Sequence, residues 1–112
     1  MVQSQTLDRT LSALSDPTRR AIIERLSVGP ASISELARPI GISLPGVLKH
    51  IRVLEAAELV TTSKRGRMRE CTLGPGEMAE VTDWIENQRR RWEQRLDRLE
   101  DYLSERREGD TA

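Results

Sequence analysis

Apolar residues recur every three or four positions in the first half of the chain, and helix-capping residues separate the runs. The first run predicts a helix over about residues 4–14. Asp16 and the proline after it are an N-cap and a first helical residue, so a second helix is expected to extend to about Leu26. The apolar positions that define these two helices are Leu7, Leu11, Leu14, Ala21, Ile22 and Leu26.

A short third helix follows. Ser32, with Glu35 three residues later, is the sequence signature of a capping box, and it predicts a helix through Ala37. Pro39 and Gly41 are expected to end that helix.

A fourth helix begins after a tight turn. Ser43 is its predicted N-cap, and we expect it to end near Ala57. Together with the short helix it gives two helices and a turn over residues 33–54. Its predicted apolar face is spaced by Val47, Ile51 and Leu54, with Leu48 beside them.

The period changes after the fourth helix. Residues 60–63 are β-branched or small, Arg65-Gly66 is a turn signal, and residues 68–73 are a second predicted strand. This pattern predicts a two-stranded β wing over residues 59–73. The sequence Gly-Pro-Gly at residues 74–76 is a predicted hinge.

The last predicted helix is long, over about residues 77–105, and a polar tail follows it. Its apolar stripe can pack on the core of its own domain or form a two-fold dimer interface with the first helix. We favour the dimer, because the stripe is longer than a small domain can cover. The predicted interface residues are Leu7, Leu11, Val81, Trp84, Ile85, Trp92, Leu96, Leu99 and Leu103.

These elements predict a mainly α fold with a two-stranded β wing, a winged helix-turn-helix. A length of 112 residues fits one domain over residues 1–112, paired through its terminal helices as a homodimer. No window approaches the roughly 18 consecutive apolar residues of a membrane span, and no signal peptide is recognisable. The single cysteine excludes an internal disulfide and favours a reducing, cytoplasmic location.

A formal net charge of zero argues at first against a nucleic-acid partner, but the charge is unevenly distributed. Residues 49–72 carry six cations against three acids, a net +3, whereas residues 73–112 carry a net −4. The basic segment therefore coincides with the fourth helix and the wing, which is the surface that a winged helix uses on DNA.

Candidate DNA contacts follow from that coincidence. Residues at the start of a recognition helix reach base edges and phosphates in the major groove, and cations of a protruding hairpin contact the backbone or the minor groove. A solvated helix face and edge-strand protection are the alternatives for these charges. The predicted DNA-binding residues are Ser43, Leu44, Pro45, Gly46, Lys49, His50, Arg52, Lys64, Arg65, Arg67 and Arg69.

Cysteine and histidine are too scarce for other chemistry. Cys71 and His50 lie on different predicted elements, and zinc needs about four nitrogen or sulfur ligands, so neither a metal nor any other cofactor is predicted. A half-buried structural thiol is favoured for Cys71 over a redox switch. The chain lacks a glycine-rich phosphate loop and a paired-acid constellation, so it is not predicted to be an enzyme.

Three segments together resemble the ArsR-type bacterial transcriptional repressors, in a subgroup that does not sense metals. They are residues 13–20 (ALSDPTRR), 33–37 (ISELA) and 47–54 (VLKHIRVL). The resemblance implies a homodimer that represses transcription at a palindromic operator. Leu48 and Glu58 depart from the family pattern, which often has serine and a nearby glycine there. The alternative is a protein-interaction module on the same fold that has lost DNA readout.

Overall fold

The computed structural model describes residues 5–74 and 78–110. The predicted positions 4, 75–77, 111 and 112 lie outside these ranges. The described elements are α1 (Gln5–Leu14), α2 (Pro17–Leu26), β1 (Ala31–Ser32), α3 (Ile33–Ile40), α4 (Leu44–Ala56), β2 (Val60–Arg65), β3 (Met68–Leu73) and α5 (Met78–Asp110). Contacts group the chain into two compact units, Met1–Val81 and Thr82–Ala112, which are described separately below.

Asp16 and the two arginines that follow it join α1 to α2. The Asp16 carboxylate accepts hydrogen bonds from the backbone N–H groups of Thr18 (2.8 Å) and Arg19 (3.2 Å). The Arg19 bond, followed by that from Thr18 and the nearby Arg19 guanidinium, holds the pKa of Asp16 below its usual value. Acid is therefore expected to weaken this cap as the carboxyl takes up its proton.

The arginine side chains turn back to the C-terminal end of α1. Arg19 donates from Nε to the carbonyl oxygen of Ala13 (2.6 Å) and from Nη2 to that of Ser12 (3.1 Å). Arg20 donates from Nη1 to the carbonyl of Leu14 at 2.7 Å. Helix α1 has no basic residue in its own last turn, so these arginines supply the cationic donors at its C-terminal carbonyls, of which Ser12 also accepts from Ser15.

The capping box forms as predicted, but α3 is longer than expected. Ser32 and Glu35 satisfy each other's backbone N–H groups at the start of the helix. The prediction that the helix ends at Ala37 is wrong, because Pro39 lies inside it. The proline costs one hydrogen bond, yet the N–H of Gly41 still bonds the carbonyl of Ala37 at 2.9 Å, so helical geometry continues to Ile40.

The wing belongs to a three-stranded antiparallel sheet with the order β1-β3-β2, so the prediction of two strands is incomplete. The added strand pairs Ala31 with Cys71 and Ser32 with Glu70. Two residues are too few to show a period-two pattern, and this strand is defined only by its partner. Its pairing attaches the base of the wing to the N-terminus of α3.

The core of the first unit is formed where α2, α3 and α4 pack against the sheet. Its members include Ala13, Ile22, Leu26, Leu36, Val47, Ile51, Leu54, Leu59, Val60 and Cys71. The predicted apolar face of α4 is thus confirmed for Val47, Ile51 and Leu54, whereas Leu48 is only half-buried. Burial of this face directs the opposite face of α4 to solvent.

Helix α5 ends at Asp110, later than the predicted residue 105. Val81, near the start of α5, is buried (7% exposed), so its side chain is largely inaccessible to a second copy and is not part of the dimer interface proposed below. Within the described residues, no helix combines the length and apolarity that crossing a membrane requires.

The chain leaves α4 for β2 through an unusual backbone conformation at Glu58. Its φ of +60° is in the left-handed region, where a β-carbon is unfavourable. Gly74 lies against the same point, because a Cβ there would collide with the carbonyl oxygen of Glu58. Glu58 therefore holds a backbone conformation that favours glycine, at the expense of local strain.

We expect Glu58→Gly to stabilise the protein by about 1 kcal/mol, because glycine removes the left-handed penalty. The gain corresponds to a rise in Tm of roughly 4–8 °C for a domain of this size. Thermal unfolding followed by circular dichroism measures it. Glu24→Gly, at an exposed position in the second half of α2, is the matched control and should lower Tm. An unchanged or lower Tm for Glu58→Gly would contradict the assignment of strain to Glu58.

Candidate nucleic-acid interface

The N-terminus of α4 presents a capped, exposed first turn. The Ser43 hydroxyl oxygen accepts from the N–H of Gly46 at 3.2 Å, which leaves the hydroxyl proton able to bond an outside acceptor. Leu44 is 52% exposed, and Pro45 is also exposed. A Cβ at Gly46 would lie 3.2 Å from the Ser43 oxygen, so glycine keeps this capped turn uncrowded.

Two cations extend the same exposed surface along α4. Pro45, Lys49 and Arg52 are exposed, and at 100° per residue they fall within about 60° of the helix circumference. They lie opposite the buried face of Val47 and Ile51. The exposed face of α4 is therefore narrow, cationic and free of acidic side chains, which suits a major groove lined by phosphates.

Of the predicted DNA contacts of α4, Gly46 and His50 are half-buried rather than exposed. His50 lies at the edge of the exposed face, and its Nδ1 lies 3.4 Å from Nη1 of Arg19 on α2. No local sequence pattern indicates this contact, because the two residues are 31 positions apart. Arg19 is thus a residue of the candidate site that sequence reasoning missed.

The four predicted wing cations are all exposed around the β2–β3 turn. Gly66 has a φ of +63° at the first position of the two-residue loop, where hairpin turns favour glycine. Lys64 is directly opposite Arg69 across the strands, a like-charge pairing that is unfavourable unless an anion lies nearby. The guanidinium of Arg65 also pairs with the Glu70 carboxylate at 3.3 Å, so the charge of Arg65 is partly balanced.

A side-chain hydrogen bond connects α4 to the wing. The Thr62 hydroxyl on β2 donates to Oε2 of Glu55 at 3.1 Å. The backbone supports the same junction, where the N–H of Leu59 bonds the carbonyl of Leu54 at 2.9 Å. The exposed face of α4 and the wing cations therefore belong to one packed unit.

Cys71 is fully buried at the base of the wing, deeper than the predicted half-burial. Burial, reinforced by the nearby Glu55 carboxylate, raises the pKa of its thiol to about 11. The reactive form of cysteine is the thiolate, so this environment favours the structural role over the redox switch. In the described part of the chain, no three metal-ligating side chains come together.

Several known proteins resemble this chain. Residues 14–63 match a family described as a helix-turn-helix domain. The HTH-type transcriptional regulator Rv2034 of Mycobacterium tuberculosis is 46% identical over 72 residues, which are 64% of this chain and 67% of that protein. The transcriptional repressor SdpR of Bacillus subtilis is 27% identical over 81 residues, covering 72% of this chain and 90% of the relative.

A solved structure extends the likeness. The crystal structure of an ArsR family transcriptional regulator is 42% identical and superposes with a TM-score of 0.75, covering 83% of this chain and 97% of that protein. The fold and its relatives define a winged helix-turn-helix, DNA-binding transcriptional regulator, not an enzyme. The chain belongs to the ArsR family.

Proposed function

We propose that this protein is a homodimeric repressor that binds a palindromic operator in the cytoplasm. The observation that carries the proposal is the exposed cationic face of α4 in the same packed unit as the exposed wing cations. In this arrangement α4 enters the major groove of one half-site, and the wing contacts the flanking backbone. No metal or other cofactor is part of the proposal.

The contact residues of α4 and of the wing have different proposed roles. Ser43 and the first-turn backbone N–H groups bind a phosphate, since a helix N-terminus favours anions. Leu44 and Pro45 contact thymine methyl groups, which are the apolar features of the major groove. Lys49 and Arg52, one and two turns further along, reach purine edges or phosphates. Lys64, Arg65, Arg67 and Arg69 bind phosphates without reading sequence.

Dimerisation through α5 is supported by the second unit considered alone. Trp84, Ile85, Trp92, Leu96, Leu99 and Leu103 are each between 45% and 62% exposed in the single chain. At 100° per residue they occupy about a third of the helix circumference, a stripe suited to a helix of a second copy. In the first unit, Leu11 on α1 is 40% exposed and Leu7 is half-buried, and both are proposed to contact a second copy of the chain.

A gel shift tests the proposed function. The wild-type protein is expected to shift a fragment from upstream of its own gene in the presence of excess non-specific competitor DNA. Repression follows if the same fragment, placed before a reporter, loses transcription when the protein is added. A folded dimer that gives no specific shift on that fragment, or on any sequence selected from a random pool, would instead support the interaction module.

A further inference from the structure

The contact between Arg19 and His50 fixes a chemical property that the sequence leaves open. Nη1 of Arg19 lies 3.4 Å from Nδ1 of His50. A guanidinium carries only donors, so the imidazole nitrogen that faces it has to be the acceptor. A neutral His50 in this contact therefore carries its proton on Nε2.

Arg19 is held firmly enough to impose that choice. Its Nε and Nη2 groups are already bonded to the carbonyl oxygens of Ala13 and Ser12 at the end of α1. Its side chain is only 16% exposed, and Nη1 is also 3.9 Å from the Asp16 carboxylate. Because these three contacts fix the guanidinium, Arg19 sets the tautomer of His50.

The other ring nitrogen of His50 remains available. Within the residues that the structure describes, no protein group is hydrogen-bonded to Nε2, and the ring is partly exposed. His50 follows Lys49 directly on α4, at the edge of the face proposed to meet DNA. A neutral N–H at this position has the chemistry to donate to a phosphate oxygen.

We propose that Arg19 is a positioning residue for DNA recognition. It holds His50 in the tautomer with the proton on Nε2, so that His50 offers a DNA phosphate a neutral donor in a fixed orientation. The inference rests on the proposed DNA-binding function. It adds a residue of α2 that lies away from the exposed face of α4 and acts on DNA binding through His50.

The tautomer is measured on the free protein by long-range proton–nitrogen NMR of the single histidine at mildly alkaline pH. The wild type is expected to show one tautomer, protonated at Nε2, and Arg19→Met is expected to give a mixture. Arg19→Met also removes the donors that bond the carbonyl oxygens at the end of α1, so the folding of the variant is verified by its backbone NMR spectrum. A wild-type proton on Nδ1, or a wild-type mixture, would overturn the proposal.

Two variants test the DNA contact while leaving Arg19 in place. The amide of His50→Gln reaches the position of Nε2, whereas that of His50→Asn reaches only the position of Nδ1. We expect Gln to keep affinity within about threefold and Asn to lose about tenfold, the loss typical of one hydrogen bond to a charged group. The salt dependence of binding should be the same in both, because a neutral donor releases no counterion.

The outcomes distinguish failure of this inference from failure of the proposed DNA-binding function. Equal losses in the two His50 variants, or a change of about 1 in the salt slope, would overturn the neutral phosphate donor. A wild-type protein that binds no DNA sequence would overturn the proposed function itself. In that case the Arg19–His50 pairing would still be decided by the NMR measurement.

Discussion

Replacing Leu96 and Leu99 together by glutamate is expected to convert the protein to a monomer. Both side chains are more than half exposed in the isolated second unit and lie in the α5 stripe. Four glutamates in a two-fold interface would bring unpaired charges into an apolar environment, which is strongly unfavourable. Because two tethered recognition helices bind more tightly than one, operator affinity should fall by about 10²–10⁴.

Sedimentation equilibrium gives the mass and fluorescence anisotropy gives the affinity. The matched control introduces two glutamates on the opposite face of the same helix, at the exposed residues Asn87 and Gln94. This control should remain dimeric and bind the operator within a few-fold of wild type. A double Leu variant that stays dimeric, or a monomer that binds with full affinity, would contradict the proposed role of α5.

Replacing all four wing cations by glutamine should produce the second large effect, a loss of salt dependence. Each phosphate contact contributes about 0.9 to the slope of log K against log salt, so the slope should become shallower by about 3 to 4. Between about 50 and about 200 mM salt, wild type should then lose roughly a hundredfold more affinity than the variant. The single change Arg67→Ala should remove about 1 from the slope and weaken binding to all sequences alike.

A control variant that loses four positive charges outside the wing distinguishes direct wing contacts from the effect of the protein's net charge. It replaces four exposed arginines of the second unit by glutamine, namely Arg89, Arg90, Arg91 and Arg98. Its slope should remain close to that of wild type. If the two quadruple variants have the same slope, the wing makes no direct phosphate contact.

Local chemistry explains why much of the fold could be predicted. Asp16, Ser32 and Ser43 cap helices by bonding backbone groups two or three residues away, so the sequence signature and the structure coincide. Strand β2 was predictable from its β-branched residues 60–62, and the hairpin from the Arg65-Gly66 turn that follows them. The exposed face of α4 followed from the period of its buried residues.

The remaining features depend on partners distant in sequence. Strand β1 exists only because Ala31 and Ser32 meet β3. The role of Arg19 depends on packing α2 against α4, 31 residues away, and no local pattern encodes it. The zero net charge of the whole chain likewise hides the site, because it sums a basic middle segment and an acidic C-terminal segment. In the fold, the cations of residues 49–72 lie on one helix face and around one hairpin turn.

Cleavage of bound DNA from the wing tests the central claim most directly. Met68, 56% exposed beside the hairpin turn, is replaced by cysteine and labelled with an iron chelate that generates hydroxyl radicals. The buried Cys71 should resist labelling, so the wild type is the control. We predict scission on both outer flanks of the operator, symmetric about its centre. Full operator binding without scission near the wing would contradict the proposal that the α4 face and the wing form the DNA interface.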